Sequence, residues 1–457
     1  MTYITDLNWN FFDIVLLCIV FIVGFSITYI ILPYLINFMK RKRFVGNDIH
    51  KNTKSEIAES GGLSMLIGLV FSSILIILFF PIYSKQTLIF LLTVLLAGFI
   101  GFIDDRIKLR SRYKIILSIF TGSIFFIANL FGFITINSPT IPFIDRTRLT
   151  IIYPFLVPLL IAVIINTVNM LEGYNGEGSG TCLIAVSFLF ICSLIWNSAE
   201  GVLFTVPVIA VIIPFFIFNK YPAKIFPGDV GTLGMGAMIA CIMLFGSLEV
   251  ATFCVLLIHI FNSFYYIYSI RGFFESSSSV RESKDDIILL EDDRIKASDQ
   301  KDAVLTLPRL ILASGPLREP KLVKNFFAIS LICGFFSIIS ILLMQATLGN
   351  LNIYFLIICI LVLIAPTILI LYKFPRIRGI IVLMIILLMS ILFFLVFIET
   401  VIMPLPIGNF MIGIVNIPIN LLISLVLIIP ILLIWYLATI KYFWFEIEKM
   451  KKSKTPT

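Results

Sequence analysis

The sequence predicts an all-α, polytopic integral membrane protein with about thirteen transmembrane helices, and three observations lead there. Hydrophobic residues make up 60% of the 457 and charged residues only 13%, against roughly 45–50% and about 25% in an ordinary soluble chain. The excess is gathered into apolar runs of about 20 residues, the length that carries a helix across the hydrocarbon core, and these recur from Phe11 to Ile440. The runs do not alternate apolar with polar residues, as strands of a transmembrane barrel would.

Taken in order, the runs place helices near 11–37, 61–80, 87–103, 113–132, 151–168, 181–196 and 203–218, then near 231–247, 249–270, 322–345, 351–371, 379–399 and 419–440. The first run has no basic stretch before it and no small-residue cleavage site after it, so it reads as a retained helix and not as a signal peptide. The segment 401–417 is apolar but rich in Pro and Gly, which suits a surface or re-entrant loop. Residues 275–302 carry charges of both signs, including Glu291-Asp292-Asp293-Arg294, and few aromatics, which suits a solvated linker. The stretch from Leu307-Pro308-Arg309 to Leu317-Arg318 is less polar and is expected to fold back onto the protein. Three regions follow: 1–272 as a transmembrane core with motif-bearing loops, 273–321 as a cytoplasmic polar loop that could act as a sugar-recognition lid, and 322–457 as C-terminal membrane helices.

Basic residues neighbour the cytoplasmic ends of membrane helices. With the N-terminus outside and the C-terminus cytoplasmic, the cytoplasmic segments hold 31 of the chain's 34 lysines and arginines, leaving only Lys85, Arg146 and Arg148 elsewhere. The net charge of +8 is therefore an orientation charge that also favours anionic membrane lipids, and it calls for no nucleic acid. The seven cysteines sit mostly as singletons inside apolar runs, with no spacing that suggests a disulfide framework or a zinc site.

The informative residues are polar groups at the expected cytoplasmic mouths, because ionisable side chains near hydrocarbon are costly and face a cavity or a partner. Asp104-Asp105 closes the third helix ahead of Arg106, Lys108, Arg110, Arg112 and Lys114. Paired carboxylates suit a divalent cation or an opposite charge, and the cations beyond suit phosphate; a stop-transfer border is the plain alternative. A continuous helix would put Asp105 and Lys114 about 180° apart, so their convergence requires a turn. Asn166 and Asn169 share a helix face and run into Glu172-Gly173-Tyr174-Asn175-Gly176, where the glycines permit a tight loop whose backbone N–H groups can approach a ligand. Asn219 opens a loop that reaches Phe226-Pro227-Gly228-Asp229, where Asp229 either caps the next helix or holds a metal beside the apolar wall of Phe226. Glu59, before Ser60-Gly61-Gly62, adds a carboxylate beside a flexible turn.

His50 and His259 are the only histidines, which disfavours a His-based zinc site or a Ser–His–Asp arrangement. No GxxxxGK[ST] loop is present. The remaining inventory of Asn and Asp oxygens with Lys and Arg suits Mg²⁺ and phosphates.

At these residues the chain resembles the polyprenyl-phosphate N-acetylhexosamine-1-phosphate transferase family of glycosyltransferase 4 type. It looks most like the eukaryotic and archaeal branch that transfers GlcNAc-1-phosphate from UDP-GlcNAc to dolichyl phosphate. The resemblance is carried by Glu59-Ser60, by Asp104-Asp105 with Lys114, and by Asn166-x-x-Asn169-x-x-x-Gly173-x-Asn175-Gly176. Asn219-x-Tyr221-Pro222, Phe226-x-Gly228-Asp229, Leu307-Pro308-Arg309 and Gly315-x-Leu317 complete it, across roughly 59–317. It implies a cytoplasmic active-site cleft for a UDP-sugar and Mg²⁺ (or Mn²⁺), with a polyprenyl phosphate entering from the membrane. By that likeness Asn169 and Asp229 would be the metal ligands, Lys114 would hold the diphosphate, and Asp104 and Asp105 would flank the reacting phosphates. Glu59, Asn175, Gly176 and Phe226 would form the nucleotide pocket, and Arg309 would reach the diphosphate and sugar. Asn166, Glu172 and Asn219 have either structural or substrate roles.

The chain departs from the family in three places. Glu172 stands where bacterial relatives tend to carry Asp and eukaryotic ones a small residue. Three helices follow the tenth, where the family usually has about ten or eleven in all, which leaves packing, a lipid guide or a homodimer contact open for them. Val304-Leu305-Thr306 replaces an Arg-His-Arg cluster ahead of the Leu-Pro-Arg element. Two other readings compete with this one: a sibling transferase using another UDP-sugar or polyprenol, and an ion-coupled transporter. Against transport, the polar groups gather on one membrane face and not at midplane in two related halves.

Overall fold

A computed structural model describes residues 9–143, 145–146, 152–269, 285–398, 409–412 and 415–452. Helix α1 (Phe11–Arg41) begins with Asn10 and Asp13 each accepting the other's backbone N–H at 3.0 Å, and ends on Lys40 and Arg41. This reciprocal cap satisfies two N–H groups that helix geometry leaves unpaired. A short hairpin, β1 (Val45–Asn47) and β2 (Glu56–Ala58), leads into α2 (Gly62–Phe79), α3 (Ser84–Ile107), α4 (Ser111–Leu130) and α5 (Ile152–Leu171). Next come α6 (Glu177–Ile195), α7 (Ala199–Asn219), α8 (Gly228–Gly246), α9 (Glu249–Val255) and α10 (Leu257–Ser269). After the polar segment that follows α10 come α11 (Leu307–Leu312), α12 (Glu319–Thr347), α13 (Ile353–Lys373), α14 (Arg378–Phe397) and α15 (Ile419–Lys452).

Among the described residues twelve helices are long and apolar enough to span a membrane, and a bent pair brings the number to thirteen. The protein is an all-α multi-pass membrane protein. The expected helix at 249–270 is that pair: α9 and α10 meet at 68° around Leu256, and residue 270 lies outside the described residues. Beyond the bend, α10 is tied by polar side chains. Asn262 donates to the Met170 carbonyl at 2.9 Å and accepts the Leu307 N–H at 3.0 Å, while His259 meets Thr181 at 3.1 Å.

Burial ranks the helices. In α8, 78% of the most apolar window is buried, against 6% in α13, so α8 sits at the centre of the bundle and α13 at its lipid-facing edge. The centre is closely packed: a Cβ at Gly101 of α3 would lie 2.3 Å from the Asp229 carbonyl of α8, so only glycine lets these helices meet there.

The polar stretch differs from the expected linker. Residues 287–289 (β5), 294–297 (β6) and 317–318 (β7) form an antiparallel sheet in that order, while 275–284 lie outside the described residues. Mixed charge suggested solvation, but Arg294-Ile295-Lys296-Ala297 alternates, burying Ile295 and Ala297 and leaving Arg294 exposed. Helix α15 also runs past the expected end at 440 to Lys452. A stripe buried at four-residue spacing, Trp435 and Thr439 before that end and Phe443 and Ile447 beyond it, makes the extension amphipathic. In the Pro/Gly-rich segment 401–417 the described part pairs Asn409–Ile412 (β8) with Val415–Pro418 (β9); 401–408 and 413–414 lie outside the described residues.

Candidate active site

A cavity of about 620 Å³ opens where the ends of α3 and α5, the starts of α4, α8 and α12, and the loops at 47–50, 172–175 and 226–228 converge. Its wall includes Glu59, Asp104, Asp105, Lys114, Asn169, Glu172, Asn175, Phe226 and Asp229, nine of the thirteen residues singled out from the sequence.

The turn required between Asp105 and Lys114 is present. Helix α3 ends at Ile107, Lys108 takes a left-handed conformation with φ 51°, and α4 starts at Ser111. The Lys114 ammonium consequently lies between two carboxylates, in contact with Asp104 Oδ2 and 3.1 Å from Asp229 Oδ2. Asp104 is further held by the Leu109 N–H, which donates to its Oδ1 at 2.7 Å. Asn169, in the last turn of α5, accepts from Thr232 Oγ1 at 3.1 Å. Thr232 stands one turn beyond Asp229 on α8, so the amide oxygen of Asn169 and the Asp229 carboxylate share one face of the cavity.

The adjacent aspartates differ in environment. Asp105 accepts the Asp229 backbone N–H at 2.7 Å and the Ser60 hydroxyl at 2.7 Å, one on each oxygen. It ties the start of α8 to the turn before α2, and so sets the position of Asp229. The same seam is sewn by backbone: Phe226 N–H donates to the Ala58 carbonyl at 2.7 Å, and Gly61 N–H to the Phe226 carbonyl at 2.9 Å. Gly228 has φ +64°, and a Cβ there would press on Asp105 and Ser60. Glu59, at the rim, has its carboxyl raised from the ordinary value, first by burial and then by the charge of Asp105.

The glycine loop uses its N–H groups internally instead of offering them to a ligand. Gly173 and Tyr174 both donate to Glu177 Oε2 at 3.1 Å, and Asn175 donates to Glu319 Oε1 at 2.7 Å. Gly176, with φ +76°, forms the turn before α6 and is not part of the cavity wall. Glu172 is enclosed against Gly178, and burial pushes its carboxyl up to about 8.

Three further residues are elsewhere than the resemblance implied or serve the scaffold. Arg309 does not reach the cavity. It is 2% exposed, and its guanidinium donates to the carbonyls of Ser298, Gln300, Ala303 and Val304 over the ring of Phe443. With its donors engaged, it has none left for a diphosphate. Asn219 accepts from Ser179 at 2.5 Å and donates to the Ile225 carbonyl at 3.0 Å, fixing the 219–228 loop. Asn166 donates to Ala162 within its own helix at 2.8 Å.

Sequence reasoning passed over Asp48, His50 and Glu319, all buried in the same wall. His50 stacks on Tyr174 with ring centroids 4.3 Å apart, and burial lowers its pKa to about 4. Asp48 accepts from Asn175 Nδ2 at 3.1 Å and pairs with Lys51 at 2.5 Å. The available signal was Asp48-x-His50-Lys51 in a loop too short to be a linker.

A sequence profile described as Glycosyl transferase family 4 matches residues 87–247, which carry the Asp104, Lys114, Asn169 and Asp229 constellation. A protein of Methanocaldococcus jannaschii, provisionally named a glycosyltransferase, is 32% identical over 70% of this chain and 95% of its own length. The chain belongs to glycosyl transferase family 4. A Saccharolobus solfataricus relative, provisionally named a UDP-N-acetylglucosamine–dolichyl-phosphate N-acetylglucosaminephosphotransferase, is 34% identical over 50% of this chain and 71% of its own. The phospho-N-acetylmuramoyl-pentapeptide-transferase of Halalkalibacterium halodurans is 31% identical over 51% and 76%. As a member of this family the protein is a membrane-embedded polyprenyl-phosphate sugar-1-phosphate transferase.

Proposed function

We propose that the protein transfers GlcNAc-1-phosphate from UDP-GlcNAc to dolichyl phosphate or a similar polyprenyl phosphate on the cytoplasmic face, releasing UMP. The observation that carries this reading is the Lys114 ammonium held between Asp104 and Asp229 beside Asn169, in a cavity of about 620 Å³. Lys114 already answers the demand of this pair for positive charge. An all-oxygen set from Asn169 and Asp229, next to that demand, fits Mg²⁺, with Mn²⁺ as the alternative. When bound there, the ion would reduce the negative charge on the diphosphate and on the departing UMP.

The residues supply the rest of the chemistry. An oxygen of the lipid phosphate attacks the β-phosphorus, the bond to the bridging oxygen breaks, and UMP leaves with that electron pair. A phosphate monoester is mostly dianionic at neutral pH, so no protein base is compulsory. Lys114, released from Asp229, offsets repulsion between the two anions and charge arriving on the leaving oxygen. Asp104 steers Lys114, Asp105 fixes Asp229, and Phe226 gives the nucleoside an apolar wall. The distribution of Lys and Arg supports a cytoplasmic site with the N-terminus outside.

Purified full-length protein with polyprenyl phosphate, a divalent ion and one nucleotide sugar at a time tests the assignment. UDP-GlcNAc is expected to release UMP fastest, and preference for UDP-glucose would replace the sugar in this reading. Asn169→Ala and Asp229→Asn should each cost about 10²–10³-fold in turnover. Near-wild-type turnover at limiting Mg²⁺ would remove that residue from the ligand set.

A further inference from the structure

Helices α13–α15 contribute no residue to the cavity wall, but they grip the polar segment that follows α10. Arg376, in the turn between α13 and α14, donates to the Gly315 carbonyl at 2.6 Å, just ahead of β7. Phe443 of α15 lies with its ring centroid 4.6 Å from the Arg309 guanidinium, and Arg309 gathers the carbonyls of the chain leaving β6. Lys451, about two turns further along α15, pairs with Asp299 at 3.2 Å. That ion pair is exposed and contributes little. Arg309 and Phe443 are both buried, so their contact is the firmer anchor. The sheet β5–β6–β7 is thereby held from the side of the C-terminal helices.

The far end of the same sheet reaches the loop between β1 and β2. Asn52, at the tip of that loop, donates its backbone N–H to Asp293 Oδ1 at 2.9 Å. Its side-chain amide donates to Asp293 Oδ1 at 2.9 Å and to the carbonyls of Leu290 and Glu291 at 3.2 and 3.0 Å. One residue is thus tied to the whole β5–β6 turn, across more than 230 positions of sequence. The same loop carries Asp48 and His50 into the cavity wall. We propose that α13–α15 act as a brace that sets the cavity-wall loop 48–55 through the sheet and a latch at Asn52, which makes Asn52 and Asp293 positioning residues. The latch is the weak joint of this strap. Its bonds are exposed, where water competes for them, and Asp293 holds φ 58°, a conformation that favours glycine. The sheet behind it buries Ile295 and Ala297. Opening therefore starts at Asn52 and frees the loop while the sheet stays in place.

The test is amide hydrogen exchange on full-length protein in detergent without substrate, comparing wild type with Asn52→Ala, Asp293→Gly and Phe443→Ala. Asp293→Gly suits the local φ, so it keeps the turn and removes only the acceptor. Exchange in 48–55 is expected to quicken about tenfold or more in Asn52→Ala and Asp293→Gly, with 294–297 unchanged. In Phe443→Ala both segments should quicken; if that variant does not fold, Arg376→Leu tests the other anchor in the same way. Unchanged exchange of 48–55 in Asn52→Ala would overturn the latch, and a loosened sheet beside an unchanged loop would overturn the brace. The kinetic expectation rests on the transferase reading: Asn52→Ala should raise KM for the UDP-sugar about fivefold with kcat within about twofold. A wild-type KM in a variant whose loop exchanges faster would overturn the positioning role. Absence of UMP from the wild-type protein would remove the transferase reading alone, since the exchange comparison uses no substrate.

Discussion

Asp105 separates positioning from chemistry, because both of its oxygens are already engaged by protein donors at 2.7 Å. In Asp105→Asn the amide oxygen can keep the Asp229 N–H, and the new NH₂ can donate to Ser60 Oγ, which accepts as readily as it donates. What is lost is charge assistance, about 1–2 kcal/mol over the two bonds, and turnover should fall around tenfold. Asp105→Ala removes both bonds and leaves the Asp229 N–H without its acceptor. That costs about 4 kcal/mol, or roughly 10³-fold if expressed through a misplaced Asp229. The assay is UMP release at varied UDP-sugar and at varied lipid phosphate, on protein shown to be folded by its thermal transition in detergent. The reasoning fails if Asp105→Asn falls as far as Asp105→Ala, because a carboxylate that reacts with substrate cannot be replaced by its amide.

Arg309→Leu should lower the thermal transition, since it orphans the carbonyls of Ser298, Gln300, Ala303 and Val304, while leaving the dependence on UDP-sugar within about twofold. A large rise in KM for the nucleotide alone would return Arg309 to the sugar end of the cleft. Glu172 is raised to about 8 from 4.5, so its contribution to stability is complete below 4.5 and is lost as pH climbs through 8, where the folded state must also ionise it. Glu172→Gln should therefore flatten the decline in thermal transition between those limits; an unchanged decline would show that other groups cause it. A reporter fused after Lys454 should read as cytoplasmic, and the opposite reading would reverse the proposed orientation.

The spans were legible because twenty consecutive apolar residues leave few alternatives. Much of the site was legible for a related reason. Asp104, Asn169 and Asp229 are polar groups at the ends of apolar runs, where an uncompensated one would be costly. The rest depended on contacts the chain makes at long separation. Glu319 joins Asp48 and Asn175 across the bundle, and nothing local marks it beyond a carboxylate opening a helix ahead of Pro320. Arg309 was placed by likeness to a motif, but the carbonyls that capture it come from the turn after β6, a strand obscured by its charges. The extension of α15 was hidden because Lys441 and Glu446 end the apolar run while Phe443 and Ile447 continue a buried stripe.

The central claim is that the bond broken joins the bridging oxygen to the β-phosphorus, so the sugar moves with its phosphate. The most direct measurement uses UDP-GlcNAc carrying a phosphorus radiolabel at the β-position, with polyprenyl phosphate and a divalent ion. The account predicts label in the lipid fraction in one-to-one proportion to unlabelled UMP. Labelled UDP appearing beside an unlabelled lipid-linked sugar would mean the sugar had moved alone, and would contradict it.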